Sequence, residues 1–269
     1  MTEVIGFVGA GQMGEPMVTR LLGAGRDVLV YARKEEVRTR LADKGARLAE
    51  SVADVAAGSD VLILCLFSDP QLLELGRGTG GYMANAKPGS VVVSHTTGLL
   101  STLTTLKAEY PAGPELIDAP VSGSADDILA GSLTVLLAGP EAVRDRVRPV
   151  LAAYSDPIID TGDVGSALSL KLINNVLFAA NAQLVASAIQ LGEKLGVDET
   201  QLLQALAVCS GASKAAQSLQ LIGGLQGFTD LAGPYIAKDV AACIASAEES
   251  DVDLGLLQTV VETGPMNIT

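Results

Sequence analysis

Lys171 is set in Leu168-Ser169-Leu170-Lys171-Leu172-Ile173, near the start of a long apolar stretch. Burial among such neighbours would strip the hydration that favours its charged form and would lower its pKa. The lysine could then exchange a proton with a substrate hydroxyl near neutral pH. Asn175 follows four residues later, one helical turn on and on the same face. A neutral amide there can orient the hydroxyl or the lysine. Taken by itself, Lys171 also fits an aliphatic stem laid along a helix with its head in water.

Two further stretches can hold the rest of a substrate. In Asp118-Ala119-Pro120-Val121-Ser122-Gly123-Ser124, a strand gives way to a helical run from Asp126 to Ala130. Backbone amides and hydroxyls of Ser122, Gly123 and Ser124 can cradle a carboxylate, at the carboxyl end of a strand where ligands of open parallel sheets gather. The same residues also suit an ordinary turn. Thr96, Thr97 and Gly98 end another strand in the same manner. Lys238 and Asp239, in YIAKDV, form a charged pair within an apolar helical run, for which surface ion pairing is the default account.

The most specific pattern is VIGFVGAGQMGEPMVTRLLGA at residues 4–24, where an apolar run ends in Gly9, Gly11 and Gly14 and passes into a helical pattern. A dinucleotide site needs a tight turn at the first glycine, backbone close to a pyrophosphate at the second, and close helix packing at the third. The helix start then faces the phosphate charge. About 20 positions further on, an acidic residue would hold a ribose 2′-hydroxyl, whereas a cation signals a 2′-phosphate. The second strand here ends Tyr31-Ala32-Arg33-Lys34, so NADP is expected over NAD, with Arg33 and Lys34 as its contacts.

The elements that must position these residues fall into two textures. From residue 3 to about 160, the β-rich runs VIGFV, DVLVYA, DVLILCLF, SVVVSH, ELIDAP, LTVLLAG and PIID alternate with helical segments. Such alternation predicts an α/β domain built on a parallel sheet with helices on both faces. After Gly162 the pattern is helical throughout. Residues 165–196 contain no proline and are apolar on nearly every side, which predicts one long buried helix. Asp198 can cap a helix through Ala207, and further helices are expected over 231–249 and 253–262, with a flexible point at Gly223 and Gly224. The expected domains are 1–162, dinucleotide-binding, and 163–269, all-helical and joined through the long central helix.

Composition excludes several functions. Eighteen basic against 31 acidic residues give a net charge of −13, which repels nucleic acid and anionic membrane surfaces. No apolar run is expected to span a bilayer and no leader is evident, so a cytoplasmic protein is expected. Cys65, Cys209 and Cys243 lack the spacing of a disulfide framework or zinc site and read as reduced core residues. A single histidine, His95, argues against histidine-based metal chemistry, and no metal is expected. With 3% aromatic residues and no Trp, a base-stacking platform is hard to assemble.

Together, FVGAGQMGEPM at the start, DAPVSGS at 118–124, GSALSLKLINN at 165–175 and FTDLAGPYIAKDV at 228–240 resemble the β-hydroxyacid dehydrogenase family of 3-hydroxyisobutyrate dehydrogenase type. The resemblance spans nearly the whole chain. It implies an N-terminal Rossmann domain, an all-α C-terminal domain, and a homodimer or higher homo-oligomer built through the long helix and the second domain. It also implies NADP-dependent interconversion of a small β-hydroxy acid and its semialdehyde or keto form. Lys171 would be the catalytic acid/base and Asn175 its partner, while Ser122 and Gly123 would hold the substrate carboxylate, with Ser124 alongside. Thr97 would touch cofactor and substrate, Lys238 would line the nicotinamide end, and Gly9, Gly11, Gln12, Met13 and Gly14 would meet the dinucleotide, with Arg33 on its adenosine phosphate. The chain departs from the family pattern at Ser124, where a second glycine is usual. It departs again at Ser94 and His95, where an aspartate commonly opens the motif, at Ala167, usually glycine, and at Phe67-Ser68-Asp69, which replace a proline-containing turn. Imine reductases share this architecture and cofactor but usually carry Asp or Tyr where Lys171 stands. A non-catalytic NADP-binding dimeric module would need neither Lys171 nor Asn175.

Overall fold

The computed structural model describes residues 3–268. Its first part consists of β1 (Val4–Val8), α1 (Gly14–Gly23), β2 (Asp27–Tyr31), α2 (Glu35–Asp43), β3 (Arg47–Leu48), α3 (Val52–Gly58), β4 (Val61–Leu64), α4 (Asp69–Gly76), α5 (Tyr82–Asn85), β5 (Val91–Ser94), α6 (Leu100–Glu109) and β6 (Glu115–Asp118). The six strands form one parallel sheet in the order β3-β2-β1-β4-β5-β6. Valine, isoleucine and leucine fill its middle because helices cover both faces, and every residue of β4 and β5 is buried. Strand order reverses between β1 and β4, so the turns leaving these two strands diverge and open a crevice at their carboxyl ends.

The chain then forms β7 (Val121–Ser122), α7 (Ala125–Ala130), β8 (Leu133–Ala138), α8 (Glu141–Leu151) and β9 (Ser155–Gly162). Here the structure differs from the single parallel sheet expected. LTVLLAG and PIID form a separate three-stranded sheet, β7-β8-β9, with β7 antiparallel to β8 and β9 parallel to it. An apolar run reports burial and not the identity of its neighbour, so the second sheet has no signature in the pattern.

The remainder is helical: α9 (Ser166–Lys194), α10 (Glu199–Leu206), α11 (Lys214–Ile222), α12 (Leu225–Glu249) and α13 (Leu256–Thr263). Asp198 caps α10, accepting the amides of Thr200 at 2.9 Å and Gln201 at 3.2 Å. The Gly223-Gly224 pair separates α11 from α12. The chain divides into two compact units, Met1–Lys171 and Leu172–Thr269. This division lies inside α9, beyond the 162/163 position expected, because the first turn of that helix packs with the first unit. Ala167 lies against Leu136 and Ala138, and Leu168 joins the cluster around Leu62 and Val92.

The second unit has its own core, running from Leu172 and Val176 on α9 to Phe228 and Val240 on α12 and Val261 on α13. Gln183, buried on α9, donates to the carbonyls of Val261 and Met266 and accepts the Met266 amide at 2.8 Å, so the end of the chain is tied to the helix. α9 is not apolar and buried all round as expected. Leu170, Ile173, Leu177, Leu184 and Leu191 are exposed along one face. By length and composition this 29-residue helix could cross a membrane, contrary to the expectation that no run would qualify, yet 56% of its most apolar window is buried in the protein. Of the cysteines, Cys243 is buried, Cys65 partly so and Cys209 exposed, and none is in a disulfide.

Candidate active site

The turn between β1 and α1 gives its glycines distinct tasks. Gly9 has φ of +101°, and a Cβ there would collide with the Cys65 carbonyl oxygen at the end of β4. Gly14 is pressed against the Gly9 carbonyl and the Phe7 ring, whereas a Cβ on Gly11 would meet nothing within 4 Å. The first and third glycines are therefore demanded by close packing, and the second faces open space. Met13, at the N-cap of α1, has no side-chain cap, so the helix start keeps its electropositive character. A cavity of about 870 Å³ lies over this turn, lined by Gly9, Gly11, Gln12, Arg33 and Lys34 among others. The partly buried Met13 packs its side chain against the core, Gly14 is buried, and neither residue is in the lining of this cavity.

Arg33 and Lys34 are exposed at the end of β2, and among the described residues no ion pair engages either side chain. Glu15, in the first turn of α1, would repel a phosphate, but Arg40 binds its carboxylate through Nε at 2.8 Å and Nη2 at 2.7 Å. Those bonds hold the Glu15 carboxyl below its ordinary range. The cavity thus offers uncapped helix amides, a glycine turn with room beside it and two uncommitted cations. These features fit the phosphates of a dinucleotide.

The loops after β5 and β6 are knitted to the sheet. Thr96 accepts the Leu66 amide at 3.2 Å, Asp69 accepts the Leu99 amide at 2.9 Å, and partly buried Thr97 stands between them. His95 is buried. Its Nδ1 faces the Ala119 carbonyl, so that nitrogen carries the proton and donates, while Nε2 accepts from the Tyr154 hydroxyl at 2.8 Å. Burial pushes His95 down to about 4, with the Ala119 carbonyl opposing, and keeps it neutral. The Cys65 thiol, at the cavity wall, is pushed up to about 12 by burial.

In the loop after β6, Ser122 is partly buried and Gly123 and Ser124 are exposed. Ser124 caps α7 in a reciprocal box: its hydroxyl accepts the Asp127 amide, and its own amide donates to Asp127 Oδ2 at 2.6 Å. The Ser-x-x-Asp spacing of residues 124–127 is the sequence signature of such a box. Thr97 and residues 122–124 lie outside the lining of the 870 Å³ cavity.

Asp118, at the end of β6, is fully buried, and its two oxygens accept the amides of Gly165 at 2.8 Å and Leu168 at 2.9 Å. Burial raises its pKa and the amides oppose that rise. Lys171 follows one turn later and is half-buried, not enclosed as its apolar neighbours suggested. Asn175, one turn further, is 8% exposed, and its Nδ2 donates to Asp239 Oδ2 at 2.8 Å. Lys238 Nζ lies 3.5 Å from Asp239 Oδ1. The aspartate thus joins the Lys238 and Asn175 positions, and the pair has more than the surface role expected by default. Because a carboxylate only accepts, the Asn175 amide must face it with its nitrogen and present its oxygen elsewhere. Nothing in the sequence pattern links residues 64 apart in this way.

Residues 4–164 match the family described as the NAD binding domain of 6-phosphogluconate dehydrogenase. Residues 165–264 match that described as NAD-binding of NADP-dependent 3-hydroxyisobutyrate dehydrogenase. The chain is 31% identical over 255 residues to 2-(hydroxymethyl)glutarate dehydrogenase of Eubacterium barkeri, covering 93% of this chain and 84% of that one. It is 30% identical to the mitochondrial 3-hydroxyisobutyrate dehydrogenase of Rattus norvegicus, over 82% of this chain and 66% of the relative. Among solved structures it is similar to Mycobacterium tuberculosis 3-hydroxyisobutyrate dehydrogenase with L-serine, with a TM-score of 0.85 and 25% identity, covering 97% of this chain and 92% of that one.

Proposed function

Since the chain belongs to the β-hydroxyacid dehydrogenase family and is an NAD(P)-dependent oxidoreductase, we propose that it uses NADP to interconvert a small β-hydroxy acid and its semialdehyde or keto form, with Lys171 as acid/base. The observation that carries this proposal is the pairing of Lys171 with Asn175 one turn apart on α9, the second held in a fixed orientation by Asp239.

When bound, the dinucleotide supplies hydride acceptance and donation. Gly9, Gly11 and Gln12 would hold its phosphates at the start of α1, and Arg33 with Lys34 would take the 2′-phosphate. Lys238 would serve the nicotinamide end, and Thr97 would contact cofactor and substrate. During oxidation, Lys171 takes the hydroxyl proton; during reduction it returns a proton to the developing alkoxide. The Asn175 oxygen, turned away from Asp239, accepts the Asn174 side-chain amide at 3.1 Å, and its second lone pair accepts from the substrate hydroxyl or from the lysine and keeps the proton path aligned. Asp127 already occupies the Ser124 amide and hydroxyl, so Ser122 and Gly123 provide the donors for the substrate carboxylate.

We also propose a homodimer through α9, supported by the exposed leucines 170, 177, 184 and 191, which recur every seven residues on one face. A cytoplasmic location is supported by the three unpaired cysteines.

Initial rates at the NADPH absorbance band, with NADP and NAD in parallel, test the function over β-hydroxy acids, matching semialdehydes and cyclic imines. Turnover of acids and aldehydes with NADP preferred is expected. Turnover of imines alone, or none despite NADPH binding, would overturn the proposal, as would near wild-type turnover by Lys171→Met.

A further inference from the structure

We infer that Asp118 is a positioning residue for Lys171: its buried carboxylate clamps the end of β6 to the first turn of α9 and so fixes the height and rotation of the helix face that presents the lysine. This inference rests on the proposed acid/base role of Lys171.

The carboxylate is 0% exposed and reaches amides 47 and 50 residues away in the chain. Its oxygens engage two amides three residues apart, Gly165 and Leu168. A single bond to a helix start would leave it free to slide or roll, whereas two bonds a turn apart restrain both motions. First-turn amides have no partner inside a helix, and a negative charge is favoured there. Even so, a fully buried carboxylate is an expensive cap, because its hydration is lost and only hydrogen bonds compensate. Capping alone needs no such group. Ser51 caps α3 with a neutral hydroxyl, accepting the Asp54 amide at 3.1 Å.

What distinguishes α9 is its cargo. Lys171 lies three residues beyond Leu168, so a shift of the helix start is passed to the lysine almost undiminished. Displacing a reacting group by about 1 Å can lower a rate on the order of 10²-fold. The same DAPVSGS stretch thereby sets two parts of the site: Ser122 and Gly123 through its own backbone, and Lys171 through Asp118.

The test compares Asp118→Asn with Ser51→Ala, a cap deletion outside the site, in the NADPH-bound protein. Asparagine keeps the shape and one acceptor but turns an NH2 group against the other amide. Melting temperature, NADPH Kd, substrate KM, kcat and the single-turnover hydride-transfer rate would be measured. For Asp118→Asn, kcat and hydride transfer are expected to fall about 10²-fold with Kd and KM changed less than about twofold, the pattern of a misplaced reacting group. Ser51→Ala is expected to lose stability and keep kcat. If Asp118→Asn loses stability but keeps kcat, Asp118 is only a structural cap and the inference is overturned. Should the asparagine variant fail to fold, Asp118→Glu, which keeps the carboxylate but lengthens its arm by one methylene, is judged by the same split. Lys171→Met is run in parallel: an inactive Lys171→Met beside a fully active Asp118→Asn refutes the positioning role alone. An active Lys171→Met refutes the acid/base assignment itself.

Discussion

Two strand-to-helix turns in the first unit have opposite fates. After β1 the chain reaches α1 through Gly9 and Gly11 with an N-cap, Met13, that offers no side chain to the helix amides. After β7 it reaches α7 through Gly123 with an N-cap, Ser124, whose hydroxyl and amide are both taken by Asp127. The first turn leaves its donors open to a cavity and places Arg33 and Lys34 nearby. The second satisfies its donors internally and brings a carboxylate to the spot. A helix start becomes an anion site only where the chain declines to cap it. Glycine at a turn says little until the next few residues are considered.

The largest effect should come from closing the open turn. Gly9→Ala drives a Cβ into the Cys65 carbonyl at a positive φ, and should cost on the order of 4 kcal/mol in urea unfolding. Gly11→Ala, with nothing near its new Cβ, should keep that stability and lose NADPH affinity roughly tenfold, read by fluorescence titration. Equal stability losses in both would erase the distinction between the two glycines.

His95 holds the Ala119 carbonyl, at the approach to the closed turn, and comes next in size. Its pKa is about 4 in the folded chain against an ordinary 6.5, so folding excludes the proton. Its contribution is intact above pH 6.5 and falls as pH drops toward 4, by about 3 kcal/mol. Subtracting the stability curve of His95→Gln from that of the wild type should isolate this slope. A flat difference between pH 7 and 4 would contradict it.

Smaller effects separate charge from geometry. Arg33→Ala should reduce the preference for NADP over NAD roughly tenfold, about 1.4 kcal/mol, in kcat/KM with the two cofactors. Asp127→Ala removes the box on α7 and should cost about 1 kcal/mol in thermal melting while releasing the Ser124 amide. If KM for carboxylate substrates then falls, the two turns differ by capping alone. If KM is unmoved, the second turn does not meet the carboxylate through Ser124.

The glycine turn and the alternation of strands were legible because each is a local pattern imposed by a repeating backbone geometry. The two-residue strands β3 and β7 were not, being too short to show a period of two. Lys171 reads as buried from its neighbours in sequence, but a helix shows only some of its sides to the core, and Leu170 and Ile173 beside it are exposed. Asn175 and Lys171 could be paired from their spacing. Asp239 and Asp118 could not be given their parts, because their partners lie 47 to 64 residues away and only folding brings them together.

The cysteines differ in a way that matters at the bench. Burial holds the Cys65 thiol near 12 and also raises that of Cys243, while Cys209 stands exposed after α10. Thiolate, not thiol, attacks a maleimide. At neutral pH the native protein therefore offers one ready attachment point, and a single dye or spin label can be placed on the helical unit without altering any residue.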